Sequence, residues 1–168
     1  MAVASRFPAV GAVVPWAAAG AGAVATQAYA NTTFGPRGLA RMRAGHQAEA
    51  VLQELLSTDE GREHRQVGLV DVGGRPATFT GPACEEWAGG QTGEHSAAQG
   101  NILAGPQVIQ VMADTFASAK GELPDRLLSA LLAVITYAIA WQTTAIRRHA
   151  WAGALVAVFS GFFVPMWS

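Results

Sequence analysis

Residues 65–80 read RQVGLVDVGGRPATFT. Two short runs in this stretch, 65–71 and 75–80, are built from Val, Leu, Thr and Phe, types that fit a pleated, half-buried surface. Between them stand Val72, Gly73 and Gly74. A Gly-Gly pair supplies positive φ without steric strain, so the stretch predicts a β-hairpin. A hairpin in mid-chain excludes an all-helical fold, and the flanks decide what packs on it.

Upstream, residues 47–56 set Ala48, Val51, Leu52, Leu55 and Leu56 on one helical face. Residues 36–43 predict a second helix, opened by Pro36, which suits a first turn; Gly45 divides the two. Residues 2–4, 9–14 and 21–27 are apolar runs broken by Pro8, Pro15, Gly20 and Gly22, the pattern of buried strands. Downstream, 81–95 reads as a loop rich in Gly, Glu and Trp, and 97–103 as a short strand. Residues 106–119 predict a helix burying Val108, Ile109, Met112, Ala113 and Phe116. Leu123, Pro124 and Asp125 open another, with Asp125 in the first turn, where a negative charge is favoured. Strands, helices, hairpin, strand and helix in that order make an α+β fold rather than a regular βαβ alternation.

The 168 residues carry 11 Lys+Arg against 12 Asp+Glu, a formal charge of −1 that gives no electrostatic footprint for a nucleic-acid partner. One cysteine excludes an internal disulfide framework and a cysteine-rich zinc module. The charges are unevenly spread. Residues 1–126 hold 9 basic and 12 acidic side chains, whereas 127–168 hold only Arg147 and Arg148. Two regions follow: a body, 1–126, and an apolar tail, 127–168.

Few motifs in the body point to chemistry. Gly20, Gly22 and Ala25 match a loose dinucleotide fingerprint, but no acid lies near the offset a ribose needs, so they read as small residues for tight packing. Arg6, the run 10–24 and Ala28-Tyr29-Ala30 imitate a secretory signal, weakened by Pro15 and several glycines. His46, His64, His95 and His149 lack metal-ligand spacing, so no metal or cofactor is expected. Cys84 stands beside Glu85 and Glu86, whose charges would raise a thiol pKa. Ser5 and Arg6, at the end of an apolar run, suit either an active-site floor or a structural cap. Gln99 and Asn101 flank Gly100, where backbone can approach closely; the amides can hold a substrate amide or an oxyanion, or satisfy loop backbone.

Five blocks in order carry a resemblance: AVASRFPAVGAVVPWA, GAVATQAYANTTFGPRGL, GREHRQVGLVD, SAAQGNILAG and LPDRLLSAL. Over about residues 2–130 the chain resembles the bacterial and archaeal family called domain of unknown function 1028. Members of that family resemble the N-terminal nucleophile (Ntn) hydrolases. The resemblance implies a partial αββα sandwich, two stacked antiparallel sheets between helix layers, and a cytoplasmic body. Ntn hydrolases cut amides with a Thr, Ser or Cys at the extreme N-terminus whose own α-amine is the base. Family members begin with a further strand that carries this hydroxyl. Here Met1 is followed by Ala2, which has no nucleophilic atom. The expectation is therefore an Ntn-like domain without amide hydrolysis as the chain stands. Ser5, Arg6, Asn31, Gln99 and Asn101 would form a support shell around a missing nucleophile. An upstream start would make the protein an amidohydrolase instead. Open sheet edges would favour a homo-oligomer.

The tail leaves the family pattern. Residues 127–146 and 151–168 hold no charge, and Arg147, Arg148 and His149 stand between them. Twenty helical residues span ~30 Å, a bilayer's hydrocarbon thickness. The literal reading is an apolar helical hairpin, 127–146 and 151–164, standing clear of the core as a transmembrane anchor for a non-catalytic binding or structural protein. A frameshifted or decayed reading frame, and a helix pair buried in a core, are the alternatives.

Overall fold

A single carboxylate closes the predicted hairpin. β3 (Arg65–Asp71) and β4 (Pro76–Thr80) pair antiparallel, and Gly74 takes φ +78° in the turn. Asp71 Oδ1 accepts the Gly73 and Arg75 backbone N–H groups at 2.9 and 3.1 Å. Its Oδ2 accepts Arg75 Nε–H at 2.8 Å and the Ala48 N–H, at the start of α3 (Ala48–Ser57), at 3.1 Å. One buried side chain thus fixes both a turn and a helix N-terminus. Burial alone would raise its pKa, but the hydrogen bonds from Arg75 and Ala48 outweigh it and hold the carboxyl below its ordinary range.

The computed structural model describes residues 1–5 and 7–145. The remaining elements are α1 (Val10–Val13), β1 (Pro15–Ala18), β2 (Gly22–Ala28), α2 (Phe34–Arg43), β5 (Gly89–Gly93), β6 (Ser96–Gly100), α4 (Gln107–Ser118) and α5 (Leu123–Ala145). A short 3-10 turn, Arg62–His64, leads into β3. The strands form a four-stranded antiparallel sheet, β1-β2-β3-β4, and a two-stranded one, β5-β6. α2 and α3 cover one side of the larger sheet, β5-β6 lies against its other side, and α4 packs on β5-β6 and on α5. The layer order is helix, sheet, sheet, helix.

The strand period of two sorts side chains between these layers. Val24, Val67, Leu69 and Ala77 face α2 and α3, where Phe34, Met42, Leu52 and Leu55 complete an apolar core. Burying one such large side chain is worth roughly 1.5–3 kcal/mol. Gln27, Gln66 and Thr80 lie abreast on the opposite side, in the same register as Ala25, Gly68 and Thr78. That side meets β5-β6.

The helices expected at 36–43, 47–56 and 106–119 form nearly where the apolar spacing puts them. Four expectations need correction. The run 9–14 is not a strand: Val10–Val13 is one helical turn, entered by Ala9 at φ +57°. Residues 2–4 form no strand, and the loop at 81–95 contains β5. The tail does not leave the core at residue 127. Leu127, Ala130, Leu131 and Val134 fill one stripe of α5 and pack with Val108, Ile109, Met112 and Phe116 of α4. Among the described residues no helix is long and apolar enough to cross a membrane. The turn at 147–149 and the second arm at 151–164 lie outside the described residues, so no helical hairpin is seen.

Candidate functional site

The polar side of the larger sheet ends in a cleft of about 860 Å³. Ser5, Phe7, Val10, Val13, Val14, Gln27, Tyr29, Arg65, Asn101 and Ile102 are among the residues that line it. Two of these residues, Gln27 and Asn101, belong to a cluster of amides centred on Gln66. Gln66 is fully buried, and its Nε2 shares its two hydrogens among Gly100 O at 2.8 Å, Thr80 Oγ1 at 2.9 Å and Gly89 O at 3.1 Å. Its Oε1 accepts from Gln27 Nε2 at 2.5 Å and from Asn101 Nδ2 at 3.3 Å. Gln27 is 2% exposed, and its Oε1 accepts no hydrogen bond. A buried polar atom left unpaired costs free energy that packing does not return, so a native structure that keeps one calls for a reason.

Backbone strain gathers at the same place. Ala28 and Ile102, both lining the cleft, have φ +63° and +56°. A β-branched side chain in the left-handed region is an outlier, and such outliers cluster at functional sites. At the mouth, Arg65 is held fast: its Nε donates to Asp59 Oδ2 at 2.7 Å, its Nη2 to Asp59 Oδ1 at 3.3 Å, and its Nη1 to Tyr29 O. The guanidinium hydrogen bond, ahead of the opposing effect of burial, draws the Asp59 pKa below its ordinary value. The mouth is therefore charged but neutral in sum, and no Asp, Glu or His lines the cleft among the described residues.

The support-shell residues named from sequence fall in different places. Ser5 and Asn101 both line the cleft; the Ser5 Oγ accepts the Phe7 N–H at 3.0 Å. Gln99 is buried one layer deeper, where its Oε1 accepts from Thr78 Oγ1 at 3.0 Å and its Nε2 has no partner. A methyl group on Gly68 would sit 2.6 Å from that Oε1, so Gly68 makes the room in which Gln99 lies. Asn31 works outside the cleft: its Oδ1 accepts the Thr33 N–H and hydroxyl at the approach to α2. Arg6 lies outside the described residues. Cys84 is buried and donates to Arg65 O, and burial rather than the neighbouring glutamates raises its pKa. Among the described residues no group of three His, Cys, Asp or Glu is placed to hold a metal ion.

Gln27, Gln66 and Arg65 do not emerge from motif reading. A signal was present in strand parity: alternation puts Gln66 and Gly68 opposite the apolar Val67 and Leu69, and so on a face that is not core.

Comparison with known proteins agrees with this architecture. The model of a family of unknown function, DUF1028, matches residues 1–136. The crystal structure of a DUF1028 protein from Silicibacter pomeroyi is similar with a TM-score of 0.74 and 28% identity, over 80% of this chain and 69% of that one. No curated protein matches the chain.

Proposed function

The chain belongs to the DUF1028 family, and from that premise we propose that it is a small-molecule-binding domain of Ntn-hydrolase-like architecture whose site is the cleft over Gln27 and Asn101. The layer order helix, sheet, sheet, helix supports the architectural half of this reading. The observation that carries the other half is the 860 Å³ cleft lined by Gln27, a residue 2% exposed whose Oε1 is buried and has no partner. A ligand that donates to it recovers a hydrogen bond the free protein lacks. Sites of this size with apolar walls and a few fixed polar groups are the usual form of small-molecule pockets.

The reading is binding without turnover. Amide hydrolysis needs a nucleophile and a base within hydrogen-bond reach of each other. The Ser5 hydroxyl is bonded to the Phe7 N–H, and the described lining offers it no carboxylate or imidazole. Ligand-observed NMR with a mixture of small neutral amides, amines and acids tests the first claim. Binders are expected, and Ala30→Trp, which fills the cleft from its lining, should weaken them by about tenfold or more. Incubation with acyl p-nitroanilides should release no p-nitroaniline above buffer. Binders indifferent to Ala30→Trp would remove the site, and release that Ser5→Ala abolishes would make it catalytic.

A further inference from the structure

The side of the larger sheet that meets β5-β6 is wider than the layer laid on it. Two strands cannot span four, and β5-β6 lies over β3 and β4. At the end away from Gln27 and Gln66, the register sets Ala17, Ala23 and Val70 in one row across β1, β2 and β3. Strand parity turns that row away from Val24 and Leu69 of the helix-facing core. A cavity of about 260 Å³ is lined by this row together with Ala97 of β6, Phe116 of α4 and Leu127 of α5. Phe116 is held in place by Arg126, whose guanidinium lies 4.4 Å from the ring centre and donates to Phe116 O at 3.0 and 3.2 Å. Among the described residues the only polar side chains of the lining are Ser96 and the largely exposed His95. No Asp, Glu, Lys or Arg lines it, and it shares no lining residue with the cleft over Gln27.

We propose that this cavity is a second binding site, for a neutral apolar molecule of the size of a bicyclic aromatic. Close-packed interiors keep few spaces much larger than a water molecule. Here the room is made on both sheets, by Ala17, Ala23 and Ala97, where longer aliphatic side chains would bury more apolar area. Water gains little in such a place, because it needs two to four polar partners to settle. An apolar cavity of about 150 Å³ takes up benzene, so 260 Å³ has room for a second fused ring. A charged molecule would have to shed its water against alkyl and aromatic walls, at a heavy cost.

Three probes test this on the full chain: naphthalene, its polar isostere 1,5-naphthyridine, and benzene. Naphthalene should bind at least about tenfold more tightly than the naphthyridine, whose ring nitrogens lose their hydration, and more tightly than benzene. Methyl NMR of the wild type should show the Val70 and Leu127 signals shifting with naphthalene, and those of Val10 and Val14 unmoved. Ala23→Leu, which grows a side chain into the cavity, should weaken naphthalene by about tenfold or more and raise Tm. Ala30→Trp, in the other site, should leave naphthalene within about threefold of wild type. The ranking and the methyl shifts need no variant, so the test survives if Ala23→Leu fails to fold. Naphthalene that does not bind, or binds no better than the naphthyridine or benzene, overturns the proposal and leaves the cleft reading untouched. Shifts at Val10 and Val14 in place of Val70 and Leu127, or indifference to a folded Ala23→Leu, overturn it as well.

Discussion

The four-stranded sheet has two sides that differ in kind. Toward α2 and α3 it presents Val24, Val67, Leu69 and Ala77, and the helices answer with Phe34, Met42, Leu52 and Leu55. Toward β5-β6 it presents Gln27, Gln66, Gly68, Thr78 and Thr80, and the answer is Gln99 and two glycine carbonyls. Both sides are buried. One is held by area and close packing, the other by hydrogen bonds of which two, at Gln27 Oε1 and Gln99 Nε2, are left unmade. The helix-facing side also keeps one unmade bond, at Thr26 Oγ1, so what sets the polar side apart is that Gln27, alone of these three residues, lines the cleft.

The largest effect expected on this contrast comes from the apolar side. Leu69 is 1% exposed at the centre of the helix-facing core. Leu69→Ala removes the buried side chain and leaves a cavity, and should lower the unfolding free energy by about 2–5 kcal/mol. Urea denaturation at neutral pH would measure it. A loss below about 1 kcal/mol would mean that this side is not the scaffold.

Asp71 stands next in size. It is 4% exposed, on the helix-facing side, and ties the β3–β4 turn to the start of α3. Asp71→Asn weakens charge-assisted hydrogen bonds and should cost about 1.5–3 kcal/mol at neutral pH. The pH dependence has a definite sign. The folded-state pKa lies below the unfolded value, so the unfolded chain binds more protons in acid. The stabilisation is present above the unfolded pKa of about 3.9 and is lost as pH falls through the folded one. The variant should therefore differ from wild type at pH 7 and converge with it in strong acid. A gap that persists unchanged in acid would assign Asp71 a packing role instead.

The two sides were unequally legible in the sequence. The helix-facing side announces itself through apolar spacing: Val51, Leu52, Leu55 and Leu56 on α3, and Val67 and Leu69 on β3, are all buried where periodicity puts them. The hairpin is equally plain, because Gly73 and Gly74 leave little else for the turn to be. β5 is invisible for the opposite reason. Its sequence, GGQTG, has no apolar alternation, and it is a strand because it pairs with β6 and because Gly90 leaves Thr78 and Gln99 room to approach. The cleft was half legible. Gln99 and Asn101 stand out for their amides beside a glycine, but what gives Asn101 its role is Gln66, 35 residues away in sequence. Pairings of that range belong to the sheet register, which the sequence states only once the strands are known. The run 9–14 misled because its apolar residues suit a strand, whereas Ala9 enters a helical turn through the left-handed region.

A smaller effect should distinguish the cleft end of the polar side from the rest. Ala28 closes β2 at φ +63° and is exposed. An L-residue in the left-handed region carries strain of about 1–2 kcal/mol that glycine avoids, offset in part by glycine's greater backbone entropy when unfolded. Ala28→Gly should raise the unfolding free energy by up to about 1 kcal/mol. The same change on the helix-facing side, at exposed Ala50 within α3, should lower it by about 0.5–1 kcal/mol. Equal signs at the two positions would erase the contrast in backbone strain.

The smallest change in stability is expected where the side chain is among the most buried. Gln27→Met removes an amide that is 2% exposed and replaces it with an apolar chain of similar length. Two effects oppose. The bond from Gln27 Nε2 to Gln66 Oε1 is lost, but Asn101 Nδ2 still donates to that oxygen, so no buried acceptor is stranded. The unpaired Gln27 Oε1 goes with it, and its desolvation penalty is relieved. The net should lie within about 1 kcal/mol of zero, of either sign, for a substitution in a buried sheet. Leu69→Ala on the other side is expected to be several times larger at comparable burial. A destabilisation by Gln27→Met as large as that of Leu69→Ala would show that the amide cluster holds the fold together, and a buried amide kept for architecture would no longer argue for a ligand.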